Sequence, residues 1–128
     1  LRALDKLGRF DLATRLTRDR WGKRMVSHGA TSTFEEWYEN GSWRTGEFRG
    51  FLRSHSHAWS AFPAVFLSKD LIGLEILEPG CGRIRLNPKV TPWDYQVEYP
   101  TPKGIISVRN RSGKIRVSVP PAIRVERD

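Results

Sequence analysis

The chain has 128 residues, 38% of them hydrophobic, enough for one modest core or for one small domain beside a remnant of another, and too few for two large domains. Its 22 Lys/Arg against 14 Asp/Glu leave a formal charge of +8, which invites a polyanionic partner, yet no nucleic-acid-binding motif accompanies the charge and no nucleic-acid role is expected. The single cysteine, Cys81, excludes an internal disulfide and a cysteine-built metal cluster, and no apolar run approaches the ~18 residues of a membrane span, so neither a metal, a cofactor nor a membrane partner is expected.

Leu1 rather than Met opens the sequence, and no charged start, apolar run and small-residue cleavage site follow it, the pattern expected of a processed or cut chain. Leu4 and Leu7 mark a first short helical segment. Leu12, Leu16, Trp21 and Met25 then recur at near-helical spacing, which predicts a helix from Phe10 to about Ser27 with Gly29 as its stop. Basic residues fill the other faces: residues 1–29 carry eight Lys/Arg against three acids, whereas 30–60 carry three against four and 61–128 eleven against seven. From His57 to Leu71 the run Ala58, Trp59, Ala61, Phe62, Ala64, Val65, Phe66, Leu67 is apolar on every side and predicts a helix buried all round. Pro63 has no N–H to give and clashes within a helix, so the regular helix should begin near it, with His57 in the approach.

Over Ile72 to Pro79 the composition changes character. Beyond Gly80, the pairs and triplets Ile84/Leu86, Tyr95/Val97/Tyr99, Ile106/Val108, Ile115/Val117/Val119 and Ile123/Val125 alternate with polar residues, the period of half-buried antiparallel strands. Pro88, Pro92, Pro100 to Gly104, Asn110 to Gly113 and Pro120-Pro121 punctuate them as turns. The expected fold class is α+β, helices first and then a small β-sandwich or sheet from about Arg83 to Asp128.

Chemistry is expected between these regions. Glu35, Glu36 and Glu39 stand among Phe34, Trp37 and Tyr38, and carboxylates beside aromatic faces suit acid/base work on a sugar. Ser32 followed by Glu35 is also the pattern of a helix capping box, so the carboxylate has a purely structural alternative. Ser54-His55-Ser56-His57-Ala58-Trp59 follows. Two His without Cys make a poor zinc site, whereas a neutral imidazole donates and accepts at once and suits a sugar hydroxyl; a structural His bonded to a backbone carbonyl is the alternative. Trp43 and Trp59 are candidates either for sugar platforms or for core and cleft-wall positions.

The ordered set Arg20-Trp21-Gly22, Gly29-Ala30-Thr31-Ser32-Thr33-Phe34-Glu35-Glu36-Trp37, Ser54-His55-Ser56-His57-Ala58-Trp59, an apolar helix, Gly82-Arg83-Ile84-Arg85-Leu86-Asn87-Pro88, and Tyr99-Pro100-Thr101-Pro102-Lys103-Gly104 resembles the C-terminal end of bacterial α-L-rhamnosidases. The resemblance implies the last helices of a catalytic (α/α)6 barrel over residues 1–76 and a C-terminal β-sandwich domain over 77–128. It implies a hydrolase that removes terminal rhamnose from glycosides with inversion, with Glu35 as general base and Glu36 as the alternative. Phe34 stands where the family has Trp. His57, Trp37 and Trp43 would contact the sugar. A second carboxylic acid would protonate the leaving oxygen from roughly 6.5–9.5 Å away, and the resemblance places it outside this chain. The chain alone is therefore expected to be inactive and, through apolar surface bared by truncation, to form a homodimer or to alter its helix packing; the resemblance by itself leaves the location open and leans to an extracellular or periplasmic parent. A non-catalytic carbohydrate-binding or structural β-sandwich module is the alternative; it predicts aromatic residues on an exposed sheet face rather than beside Glu35.

Overall fold

A computed structural model describes residues 1–35, 47–48, 51–52 and 54–126. The architecture is α+β, and the chain separates into two compact units, Leu1–Ala64 and Val65–Asp128.

In the first unit, helix α1 (Arg2–Lys6) is followed by α2 (Phe10–Thr17). The expected single helix to Ser27 is interrupted: α2 opens into a wide π-helical turn at Arg18–Gly22 and ends in a 3₁₀ turn at Val26–His28. The local cause lies in two threonines. Thr14 Oγ1 reaches the Phe10 and Asp11 carbonyls at 3.0 and 2.9 Å, and Thr17 Oγ1 donates to the Ala13 carbonyl at 2.9 Å, competition for helix acceptors that bends and loosens a helix. Gly29 stops the segment as predicted, in the left-handed conformation at φ 80°. Strand β1 (Glu47–Phe48) pairs antiparallel with β2 (Phe51–Leu52). Ala13, Thr17, Met25, Phe34, Ser60 and Pro63 are buried. The Trp21 indole N–H fastens the turn after α2 to the Ser60 carbonyl at 2.7 Å.

The apolar run is helical throughout, as a 3₁₀ turn at Ala58–Ala61, α3 (Phe62–Val65) and a π-helical turn at Phe66–Asp70. It is not buried all round. Ser60, Pro63 and Phe66 face inward, whereas Trp59, Val65 and Leu67 are 72, 40 and 41% exposed. Hydrophobicity on every side of a segment sets its capacity for burial, and here only one face finds cover.

The second unit holds two three-stranded sheets. One is the antiparallel meander β5 (Tyr95–Thr101), β6 (Gly104–Arg111) and β7 (Lys114–Ser118). Its β6–β7 turn, Ser112-Gly113, has both residues at positive φ, 48° and 76°, the geometry that matches strand twist in a two-residue hairpin. Pro100 interrupts no ladder that matters because β5 is an edge strand. The other sheet comprises β3 (Glu75–Ile76), β4 (Arg83–Arg85) and β8 (Arg124–Glu126), with β3–β4 antiparallel and β4–β8 parallel. The parallel pair departs from the all-antiparallel expectation. Parallel neighbours need a long connection between them, and the whole β5–β7 meander supplies it.

Ile72, Leu74, Cys81, Ile84, Ile106, Val108 and Ile123 form one buried cluster, with Leu86, Tyr95, Val97, Tyr99, Ile115 and Val119 packed against it. Full burial of side chains such as Ile84, Ile106 and Val108 contributes about 1.5–3 kcal/mol each. Asn110, fully buried at the end of β6, donates from Nδ2 to the Thr91 carbonyl and hydroxyl and to the Trp93 carbonyl at 3.1, 3.0 and 2.8 Å, and so holds the loop before β5 against the sheet. The Tyr95 hydroxyl donates to the Lys89 carbonyl of the same loop at 2.8 Å, and burial raises its pKa.

Candidate functional site

The described candidate residues of the first unit, Glu35, His57 and Trp59, lie where two loop segments run side by side. Glu35 N–H donates to the Ser54 carbonyl at 2.9 Å and His57 N–H to the Thr33 carbonyl at 2.8 Å, so Thr33–Glu35 and Ser54–His57 are zipped together by backbone bonds. Side chains reinforce the seam. Thr33 Oγ1 donates to the His57 carbonyl at 3.2 Å, the Ser32 hydroxyl bonds the His55 carbonyl, and the buried Ser60 hydroxyl bonds the Phe34 carbonyl. Phe34, 8% exposed, anchors one side of the seam, and the His55 ring lies against it with centroids 4.9 Å apart.

This seam sets the position of the carboxylate. Glu35 Oε2 accepts the Ser54 backbone N–H at 3.1 Å and lies 3.9 Å from His57 Nδ1, too far for a direct hydrogen bond. Both side chains are about a quarter exposed, at 24 and 25%, so each is held and each is reachable. The Trp59 ring packs on the His57 ring with centroids 4.0 Å apart, while most of the indole faces solvent.

The capping-box atoms are used otherwise. In a capping box the Ser32 hydroxyl would bond the Glu35 N–H and the Glu35 carboxylate the Ser32 N–H. Instead the hydroxyl goes to His55, the Glu35 N–H to Ser54, and the carboxylate to the Ser54 amide. Glu36, Trp37 and Trp43 lie outside the described residues, as do Tyr38 and Glu39. Residue type alone did not single out Ser54, whose contribution is a backbone amide and has no signature in sequence. Trp59 carried a signal, its place two residues after His57, without indicating that it would be so exposed.

Chemically, the site offers one oriented carboxylate, one imidazole able to donate and accept, and an exposed aromatic face. Among the described residues, no group of three His, Cys, Asp or Glu side chains could hold a metal ion, and no helix is long and apolar enough to cross a membrane. No family model, curated protein or solved structure matches the chain.

Proposed function

We propose that this chain is the C-terminal part of an inverting glycoside hydrolase of the α-L-rhamnosidase type, in which it supplies the general base Glu35 and the sugar-contacting His57. In this reading the early helices belong to the last part of an (α/α)6 barrel, and the strands form a β-sandwich domain after it. One observation carries the proposal: the Glu35 carboxylate is held by the Ser54 amide at 3.1 Å, with His57 at 3.9 Å and an exposed Trp59 beside the imidazole. A base must be fixed in direction yet open to the water that it deprotonates, and Glu35 meets both needs. The water would attack the anomeric carbon while a carboxylic acid from another part of the parent enzyme protonates the leaving oxygen. Aromatic side chains also favour the site over the module reading, for the outward residues of β5–β7, from Gln96 through Ser118, include none.

Hydrolysis of an aryl α-L-rhamnoside tests this. The chain alone should be inert. In the parent enzyme Glu35→Gln should lower kcat by about 10²–10⁴-fold, the usual range for a positioned base, with the fold unchanged by circular dichroism. Near-normal turnover of that variant would remove Glu35 from the chemistry.

A further inference from the structure

The outer face of the β5–β7 sheet gathers charge that the fold does not neutralise. Tyr95, Val97, Tyr99, Ile106, Val108 and Ile115 turn to the core side, so strand alternation sends Arg109, Arg111, Lys114 and Arg116 outward, where all four are exposed. The register places Arg109 opposite Arg116 and Arg111 opposite Lys114. Directly opposed side chains stand ~4.5–5.5 Å apart at Cβ, and like charges there are destabilising. Gly104–Ser118 contains these four cations and no acidic residue.

Among the described residues, two carboxylates at the β5 side have hydrogen bonds to backbone or neutral partners rather than to the four cations. Asp94 Oδ1 accepts the Ser112 amide at 2.8 Å, and Glu98 Oε1 accepts Gln96 Nε2 at 3.1 Å. Arg109 Nη2 donates to Gln96 Oε1 at 2.7 Å, a neutral partner that leaves its charge in place. Arg111, Lys114 and Arg116 form no ion pair among the described residues. Cations on an edge strand deter edge-to-edge pairing, which accounts for Lys114 and Arg116 on β7. Arg109 and Arg111 lie on the central strand, where carboxylates would have made favourable pairs with those edge cations.

We propose that this face docks an acidic polysaccharide, with the four cations taking carboxylates of a uronate-containing chain. Next to the Arg109–Arg116 rung, Ser107 stands opposite Ser118, and Gln96 stands opposite Arg109 on β5, so hydroxyl and amide groups adjoin the charges as they would have to for a polymer that alternates carboxylates with hydroxyls. Single-stranded nucleic acid is disfavoured because sheets that bind it stack bases on aromatic side chains, and this face carries none. A lipid surface is disfavoured too: the large apolar side chain on this face, Ile105, sits at the far end of β6 from the cations. The proposal rests on the second unit alone and does not depend on the role of Glu35.

Calorimetric titration of the 128-residue chain at low salt tests it, with oligogalacturonate, neutral dextran and poly(U) as probes. Oligogalacturonate should bind and dextran should not. Binding should weaken at least about tenfold in Arg109→Ser/Arg116→Ser and less than about twofold in Arg9→Ser/Arg15→Ser, which removes the same charge from the first unit. Arg116→Glu should abolish binding and raise Tm, because it turns a like-charge rung into an ion pair; loss of binding then cannot be loss of fold. Absence of oligogalacturonate binding, equal weakening by the two double variants, or tighter capture of poly(U) through Arg109 and Arg116 would overturn the proposal.

Discussion

Two glycines with nearly the same backbone angle separate two kinds of constraint. Gly73 has φ +59°, and a Cβ built there would lie 2.2 Å from the Asn87 carbonyl oxygen and 2.6 Å from its carbon; Gly80 has φ +64° and nothing within 4 Å. The close approach at Gly73 exists because Asn87 N–H donates to the Gly73 carbonyl at 3.2 Å and Lys89 N–H to that of Leu71 at 3.0 Å, which lashes the loop after β4 to the end of the helical run. Gly80→Ala should therefore cost only the left-handed penalty of about 1–2 kcal/mol, whereas Gly73→Ala should cost that and a steric term, more than about 3 kcal/mol in all. Chemical denaturation of both variants measures the difference; equal losses would mean that the loop yields freely. Glu35, His57 and Trp59 could be picked out from sequence because their side chains are chemically distinctive. The clamp at Gly73 and the Ser54 amide under Glu35 could not, because backbone atoms at long range carry no residue-type signal.

At the scale of elements, alternation located β4 to β8 within two or three residues, since half-burial imposes period two directly on side-chain choice. Pairing direction was not accessible, because parallel and antiparallel partners demand the same alternation. That direction creates an ion-pair chain across three strands: Arg124 donates to both Glu78 oxygens (2.9 and 3.1 Å), Arg83 bridges Glu78 and Glu126 (3.2 and 3.1 Å), and Arg85 bridges Glu126 and Glu75 (3.1 and 2.7 Å). The groups are substantially exposed, so single pairs matter little, and the connected set adds to the backbone ladder that joins β8 to β4. The Arg124 hydrogen bond above all lowers the Glu78 pKa, with Arg83 adding to the effect and burial opposing it. A carboxylate depressed in the folded state contributes stability above its unfolded pKa and loses it as pH falls through the folded value. The contribution should be complete above pH about 4.5 and fade below it. Glu78→Gln should accordingly lower Tm at pH 7 and flatten its decline in acid; parallel pH profiles for the variant and the parent would show that the network does not stabilise β8.

For the whole molecule, the division at Ala64 and Val65 places every residue of the Ile72–Ile123 cluster in the second unit. A unit of that size is near the lower limit for a self-sufficient core. Residues 65–128 expressed alone should still melt cooperatively, and Ile106→Ala, which empties a fully buried position, should remove about 2–5 kcal/mol. A broad, non-cooperative melt of the excised unit would show that its core needs the rest of the chain. Composition and period made the α+β succession readable, while how much of each apolar helix finds cover depends on three-dimensional partners that periodicity does not name.

Cys81, the sole thiol, is 5% exposed and belongs to that same cluster. A thiol reagent can reach it only when the cluster parts, so its rate of alkylation is a clock for the opening of the second unit. It runs without an introduced probe, and no other thiol in the chain competes with it.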